Sequence, residues 1–258
     1  MLDCCYRAFV EPGDTVLHPW PTYSLFPVLA RVFAAHDATL PLQAGGGLDA
    51  AFAATPAPLR FVVNPNSPTG QWIAPRDLEA QLRDAGGVVV IDEAYVDFAP
   101  ESCIELLHGH ESWLVLRTFS KGHALAGLRV GYAVGHAELI ADLLAVKDSY
   151  PVDRCAIAGA LAALEDRAHH ERIVETVLTC RARLVEALQE RGWDVLASHA
   201  NFVFAAPPPP VRAADVAASL REQRILVRHF AHAGIDDRLR ISIGDHDATE
   251  RLLTAIAV

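Results

Sequence analysis

The chain has 258 residues, 52% of them hydrophobic and 21% charged, with a formal net charge of −10. That composition excludes a disordered chain, and only 22 Lys and Arg spread along an acidic sequence argue against a nucleic-acid surface. The expected partners are small molecules and further copies of the chain, with no nucleic acid and no membrane.

Five cysteines (Cys4, Cys5, Cys103, Cys155, Cys180) form no CxxC pair. An odd number of thiols in a chain of this size fits a reducing compartment, so a cytoplasmic location is expected. The opening "MLDCCYRAFVEPGD" has no basic leader or small-residue cleavage site, and no apolar run reaches membrane-spanning length.

In chain order, "LDCCYRAFV" reads as a helix with apolar Leu2, Cys5, Tyr6 and Phe9, lacking a cap or a preceding strand. Short runs rich in Val, Leu and Ile then alternate with helical patterns. "DTVLHP" precedes helical "PTYSLFPVLARVFAAHD"; "ATLPL" and "LRFVVN" precede "PRDLEAQLRDAG"; "VVVIDEA", "SWLVLRTF" and "LRVGYAVG" precede "AELIADLLAVKD". Near-continuous apolar strands between amphipathic helices predict an α/β domain over residues 1–150, with a mainly parallel sheet covered on both faces.

The pattern changes near Pro151. Long helices are predicted through 153–191, then a strand "NFVFAA", a proline run at 207–210 read as a stiff surface loop, a helix "AADVAASLREQ", strands "ILVRHF" and "LRISIG", and a final helix "ATERLLTAIA". Residues 151–258 thus predict a smaller α+β domain.

Four segments fall at or just beyond predicted strand ends, where a parallel sheet presents ligand groups: "NPNSPTG" (64–70), "DEAY" (92–95), "RTFSK" (117–121) and "AGLRVG" (126–131). A lysine placed there, Lys121, can bond covalently to an aldehyde if its surroundings lower its pKa, and Arg129 is a cation suited to do so. Asp92, ending a buried strand, can pair with a protonated ring nitrogen. Tyr95 can hydrogen-bond a phenolic oxygen on that ring, and Thr118, Ser120 and Arg129 suit a phosphate. An aldehyde, a pyridine nitrogen, a phenol and a phosphate together describe pyridoxal 5′-phosphate. Each piece alone has an ordinary explanation as surface charge, cap or turn. Their joint occurrence in this order is what points to the cofactor.

These segments, with "RAFVEPGDTVLHPWPTYS", "VKDSYPVDR", "ANFVF" and "ILVRHF", resemble fold-type I pyridoxal-phosphate enzymes of the class I and II aminotransferases over essentially the whole chain. Within that group the flanking phrases are most similar to the histidinol-phosphate aminotransferases. The resemblance implies a large cofactor-binding domain, a small domain and a homodimer. It makes Lys121 the lysine that holds the cofactor and shuttles the proton, and Asp92 the partner of the pyridine nitrogen. Tyr95 contacts the ring phenolate and Tyr23 stacks on the ring face. Thr118, Ser120 and Arg129 hold the phosphate, and Arg240 clamps the substrate α-carboxylate. Asn201 and Arg228 match positions near the substrate. The ordinary alternative for Arg240 is an ion pair with Asp236 or Asp237.

Two departures from the family pattern stand out. Ser67 occupies the place before "PTG" where many relatives carry an asparagine that bonds the ring phenolate, so Asn66 or Tyr95 is expected to compensate. The sequence also begins within the helix that, in relatives, follows a phosphate-binding loop and an N-terminal arm, which reads as N-terminal truncation. The activity implied is amino transfer from histidinol phosphate to 2-oxoglutarate, giving imidazole acetol phosphate and glutamate. The alternatives are another aminotransferase or a phosphothreonine decarboxylase of similar fold, and a truncated scaffold without catalysis. No metal is expected, because 12 histidines include no HExxH or comparable spacing, and the adjacent His169 and His170 read as solvated.

Overall fold

The computed structural model describes residues 1–256. Six strands form one sheet: β1 (Thr15–Trp20), β2 (His36–Pro41), β3 (Leu59–Val63), β4 (Val88–Asp92), β5 (Trp113–Thr118) and β6 (Gly131–Gly135). Their order is β2-β1-β3-β4-β5-β6. All neighbours are parallel except β6, which runs antiparallel to β5.

Alternation within the apolar strands supplies both faces of this sheet. Phe61, Val63, Val90, Leu114 and Leu116 pack with Cys5 and Tyr6 of α1 (Leu2–Phe9), Phe26 and Leu29 of α2 (Phe26–Val32) and, further along the chain, Leu143. On the opposite face Val62, Val89, Ile91, Trp113 and Val115 meet Phe52 together with Leu78 and Leu82 of α3 (Pro75–Leu82). The predicted first helix is therefore present and turns Cys5 and Tyr6 inward, without a side-chain cap. Helix α2 starts later than its pattern suggested. Pro27 lacks the N–H that a helix interior needs, so the helix places it in its first turn, and residues 21–25 form a turn instead.

After α4 (Ala137–Val146), α5 (Arg154–Glu165) and α6 (Arg167–Glu190), a second sheet comprises β7 (Asp194–Val195), β8 (Phe202–Ala206), β9 (Arg228–His229) and β10 (Leu239–Ser242). Its order is β7-β8-β10-β9, antiparallel throughout. Val203, Ala205, Leu239 and Ile241 face α6, α7 (Ala213–Glu222) and α8 (His246–Ala255) through Leu184, Leu188, Leu220 and Leu253. On the other face, Phe202 joins Tyr95 and Phe98 beyond β4. The two sheets thus meet at the carboxyl edge of the larger one. Only two residues of "ILVRHF" enter a ladder, and β7 carries too short a pattern to have been read.

Among the described residues, no helix is long and apolar enough to cross a membrane.

Candidate active site

Parallel strands β1, β3, β4 and β5 all end at one edge, and antiparallel β6 begins there. Hence the segments after Trp20, Val63, Asp92 and Thr118, and the one before Gly131, converge although they are far apart in sequence.

The loop after β3 is held rigidly. Asn64 bonds the backbone of Ile73 in both directions, its Nδ2 donating to the carbonyl at 2.8 Å and its Oδ1 accepting from the amide at 2.8 Å. Asn66 is equally committed. Its Oδ1 accepts from Thr22, and its Nδ2 donates to the Pro21 carbonyl and to Thr69. Its amide is thus fully used within the loop and on the segment after β1, which leaves the Ser67 hydroxyl as the loop's contribution to the site. Gly70, at φ +78°, has no room for a Cβ beside Ser198, and its carbonyl accepts from the His199 amide at 2.7 Å.

After β4, Asp92 and Glu93 take different work. Asp92 is 9% exposed and accepts from the Ala94 amide at 3.0 Å through Oδ1. Burial pushes its carboxyl up to about 6. Glu93 is buried and receives Ser102, the Cys103 amide and the Arg117 Nε, forming a structural ion-pair network behind the loop. Tyr95 is buried and meets Phe202 edge-on, with centroids 5.1 Å apart.

Lys121 follows β5, with its Nζ 5.3 Å from the centroid of the Tyr95 ring. Desolvation lowers its pKa, and Arg240 and Arg129 reinforce the shift against the attraction of Asp92. Thr118 donates to the Val130 carbonyl and accepts from the Ser120 amide, which ties the two sides of the β5–β6 connection together. Arg129 sits at φ +56° and donates to the Ser120 hydroxyl at 3.3 Å and the Ala126 carbonyl at 3.0 Å. Two hydroxyls and an exposed guanidinium therefore cluster beside the lysine.

Arg240 reaches this edge from β10. It donates from Nη1 to Ser67 Oγ at 3.1 Å, and its guanidinium carbon lies 5.2 Å from the centroid of Phe202 and 5.9 Å from that of Phe230. Its Nε is buried and without a partner. The expected alternative ion pair is absent among the described residues, since Asp237 lies near Arg238 instead. Arg228 faces Arg240 in the β9–β10 register and lies over the same Phe230 ring at 5.3 Å, exposed to solvent. Tyr23 is 42% exposed, and Asp92, Tyr95, Arg129 and Arg240 all act on its ionisation after burial, which raises it. Asn201 stands just before β8, and its carbonyl accepts from Ile243.

Sequence reasoning passed over the Glu93–Arg117 pair, because its partners are 24 positions apart and neither stands in a recognisable spacing. It also passed over Phe202 and Phe230, which read only as strand core. A broad groove of about 980 Å³ along α6 and residues 195–199 contains none of the predicted side chains, so chemistry rather than concavity locates the site.

The chain matches the family model for aminotransferase class I and II over residues 1–256. Histidinol-phosphate aminotransferase 1 of Trichormus variabilis is 38% identical over 257 residues, covering 99% of this chain and 73% of that protein. Histidinol-phosphate aminotransferase 2 of Thiobacillus denitrificans is 45% identical over 256 residues, covering 97% and 71%. Among solved structures, histidinol-phosphate aminotransferase from Sinorhizobium meliloti in complex with pyridoxal-5′-phosphate superposes with a TM-score of 0.88 at 26% identity, covering 99% of this chain and 72% of that one.

Proposed function

The chain belongs to the class I and II aminotransferases, and we propose that it transfers the amino group of histidinol phosphate to 2-oxoglutarate in histidine biosynthesis. The observation that carries this reading is the meeting of Lys121, Asp92 and Arg240 at one sheet edge, in a chain 38% and 45% identical to curated histidinol-phosphate aminotransferases.

The residues present fit pyridoxal phosphate. Asp92 is a buried carboxyl whose only side-chain hydrogen bond among the described residues comes from one backbone amide, and a cation opposite it would relieve its desolvation. Thr118, Ser120 and Arg129 present two hydroxyls and a guanidinium that suit a phosphate. Lys121, its pKa lowered by desolvation and by Arg240 and Arg129, is the nucleophile placed for the cofactor aldehyde. When bound, the cofactor supplies an electron sink for the bonding electrons released at the substrate α-carbon.

The chain's own groups do the rest. The Lys121 Nζ takes the α-proton and returns it, and the lowering of its pKa by burial and the neighbouring arginines acts in the direction a base here needs. Asp92 would pair with the protonated ring nitrogen of the bound cofactor. Tyr95 and Ser67 would hydrogen-bond the ring phenolate, and Tyr23 would stack on the ring. Arg240 binds the α-carboxylate, its unpartnered Nε supplying a donor for the second arm of a bidentate grip. Arg228 and Asn201 line the substrate side.

In this reading residues 1–150 form the cofactor domain and 151–258 the smaller domain, and the working form is a cytoplasmic homodimer. Five free cysteines support a reducing compartment. Ile157, Leu161 and Leu164 of α5, each more than half exposed, support an apolar face for a second copy.

The test is the visible spectrum of the chain mixed with pyridoxal phosphate, beside Lys121→Ala, before and after borohydride reduction, followed by glutamate formation from histidinol phosphate and 2-oxoglutarate. A lysine-dependent band trapped by reduction, with glutamate released, is expected. No lysine-dependent band, or a band without turnover of this substrate pair, would overturn the reading.

A further inference from the structure

Away from the cofactor cluster, three side chains from distant parts of the sequence meet beneath the Lys121 loop. Asp97 lies in the 3-10 turn after β4, His123 in the loop after Lys121, and His170 in the first turn of α6. One ligand atom from each lies within 4.8 Å of the other two. We propose that Asp97, His123 and His170 bind a divalent cation of the zinc type and thereby fasten the Lys121 loop to α6.

A second observation points the same way. His123 Nδ1 and His170 Nε2 are both buried and have no hydrogen-bond partner. The His170 Nε2 is 3.4 Å from the Asp97 carboxylate, within ion-pair reach, yet the alignment yields no hydrogen bond. Leaving one buried ring nitrogen unpaired is costly, and here two lie on rings whose centroids are 4.3 Å apart. A metal ion held between the two rings and the Asp97 carboxylate would satisfy both nitrogens together.

The surroundings bring the three groups together. Phe119 stacks on the His123 ring at 4.8 Å. A Cβ at position 122 would collide with the Asp97 carboxylate, so Gly122 allows the loop to close onto it. His169, by contrast, is exposed and takes no part. The expectation that both adjacent histidines are solvated therefore holds for His169 but not for His170. A tetrahedral zinc site brings ligand atoms to about 3.3 Å from one another with the ion in both ring planes, so binding requires the cluster to contract by up to about 1.5 Å and the two rings to turn out of their stacked arrangement. Two imidazoles and one carboxylate select zinc, copper or nickel over magnesium or calcium, and water completes the coordination.

The test is equilibrium dialysis of the pyridoxal-phosphate-loaded full chain, stripped with chelator, against Zn²⁺, with metal analysis of wild type, His170→Gln and Asp97→Asn. About one equivalent is expected for wild type, with affinity at least about tenfold weaker in each variant. Circular dichroism and the cofactor spectrum establish that the variants fold. Should either fail to fold, Co²⁺ bound to wild type decides: intense tetrahedral visible bands support the site, and weak octahedral ones overturn it. Wild type binding no stoichiometric metal, or both folded variants binding as wild type does, would equally overturn the proposal.

Discussion

The guanidinium of Arg240, on an inner strand of the small sheet, donates to the hydroxyl of Ser67 at the edge of the large sheet, 3.1 Å away and 173 positions earlier in the chain. Ser67 stands where the family resemblance leads us to expect an asparagine. A shorter side chain is compatible with the site because the arginine reaches in to meet it.

Replacing Arg240 by lysine keeps the charge and removes the planar fork. Arg240→Lys is expected to raise KM for both the amino donor and the keto acceptor by about one to two orders of magnitude, with a smaller effect on kcat. Steady-state kinetics with each substrate varied checks this, and an unchanged KM for either would place the carboxylate grip elsewhere.

Asp92 gives a pH signature in the cofactor-free protein. Its carboxyl rises from an ordinary 3.8 to about 6 on folding, so its contribution to stability is fully present below the unfolded value and is lost as pH rises through about 6. By pH 8 the ionised buried group costs on the order of 3 kcal/mol. The stability of Asp92→Asn relative to wild type is therefore expected to grow by about that amount between pH 4 and pH 8, while its amino transfer falls steeply. Urea denaturation across pH measures it, and a difference that stays flat with pH would refute the assignment.

Glu93 is 1% exposed and is the charge partner of Arg117. Removing one member of a buried pair strands the other, so Glu93→Ala is expected to destabilise by about 3 kcal/mol. The measurement is the urea midpoint at constant m-value. A loss under about 1 kcal/mol would mean that Arg117 finds other partners or water.

Gly70 combines a left-handed φ of +78° with close approach of Ser198. Gly70→Ala is expected to cost about 1–3 kcal/mol and to raise KM by displacing Ser67. Thermal unfolding and substrate kinetics together check this, and a variant as stable as wild type would show that Ser198 yields.

Much of the site was legible because its residues stand within a few positions of strand ends whose apolar runs are unambiguous. Asp92 after "VVVI", Lys121 after "WLVLRT" and Arg129 before "VGYAVG" all take their positions from local pattern plus parallel topology. Contacts that depend on how two sheets meet were not legible. Nothing local distinguishes Arg240 from Arg238, although one reaches Ser67 and the other pairs with Asp194. Asn66 is the converse case. Its place in "NPNSPTG" suggested a free amide, and only the return of the chain past Pro21 and Thr22 uses that amide up. His170 left its solvated face for the same reason, because the Lys121 loop covers it.

The antiparallel course of β6 has a further consequence. Because the chain leaves the sheet at Thr118 and re-enters it at Gly131, Lys121 and Arg129 hang from a span pinned at both ends to neighbouring strands. Their separation is fixed within the large sheet, whereas Arg240 is carried by β10 of the small one. A rotation of one sheet against the other would change the distance from Arg240 to Lys121 while leaving that from Lys121 to Arg129 unchanged.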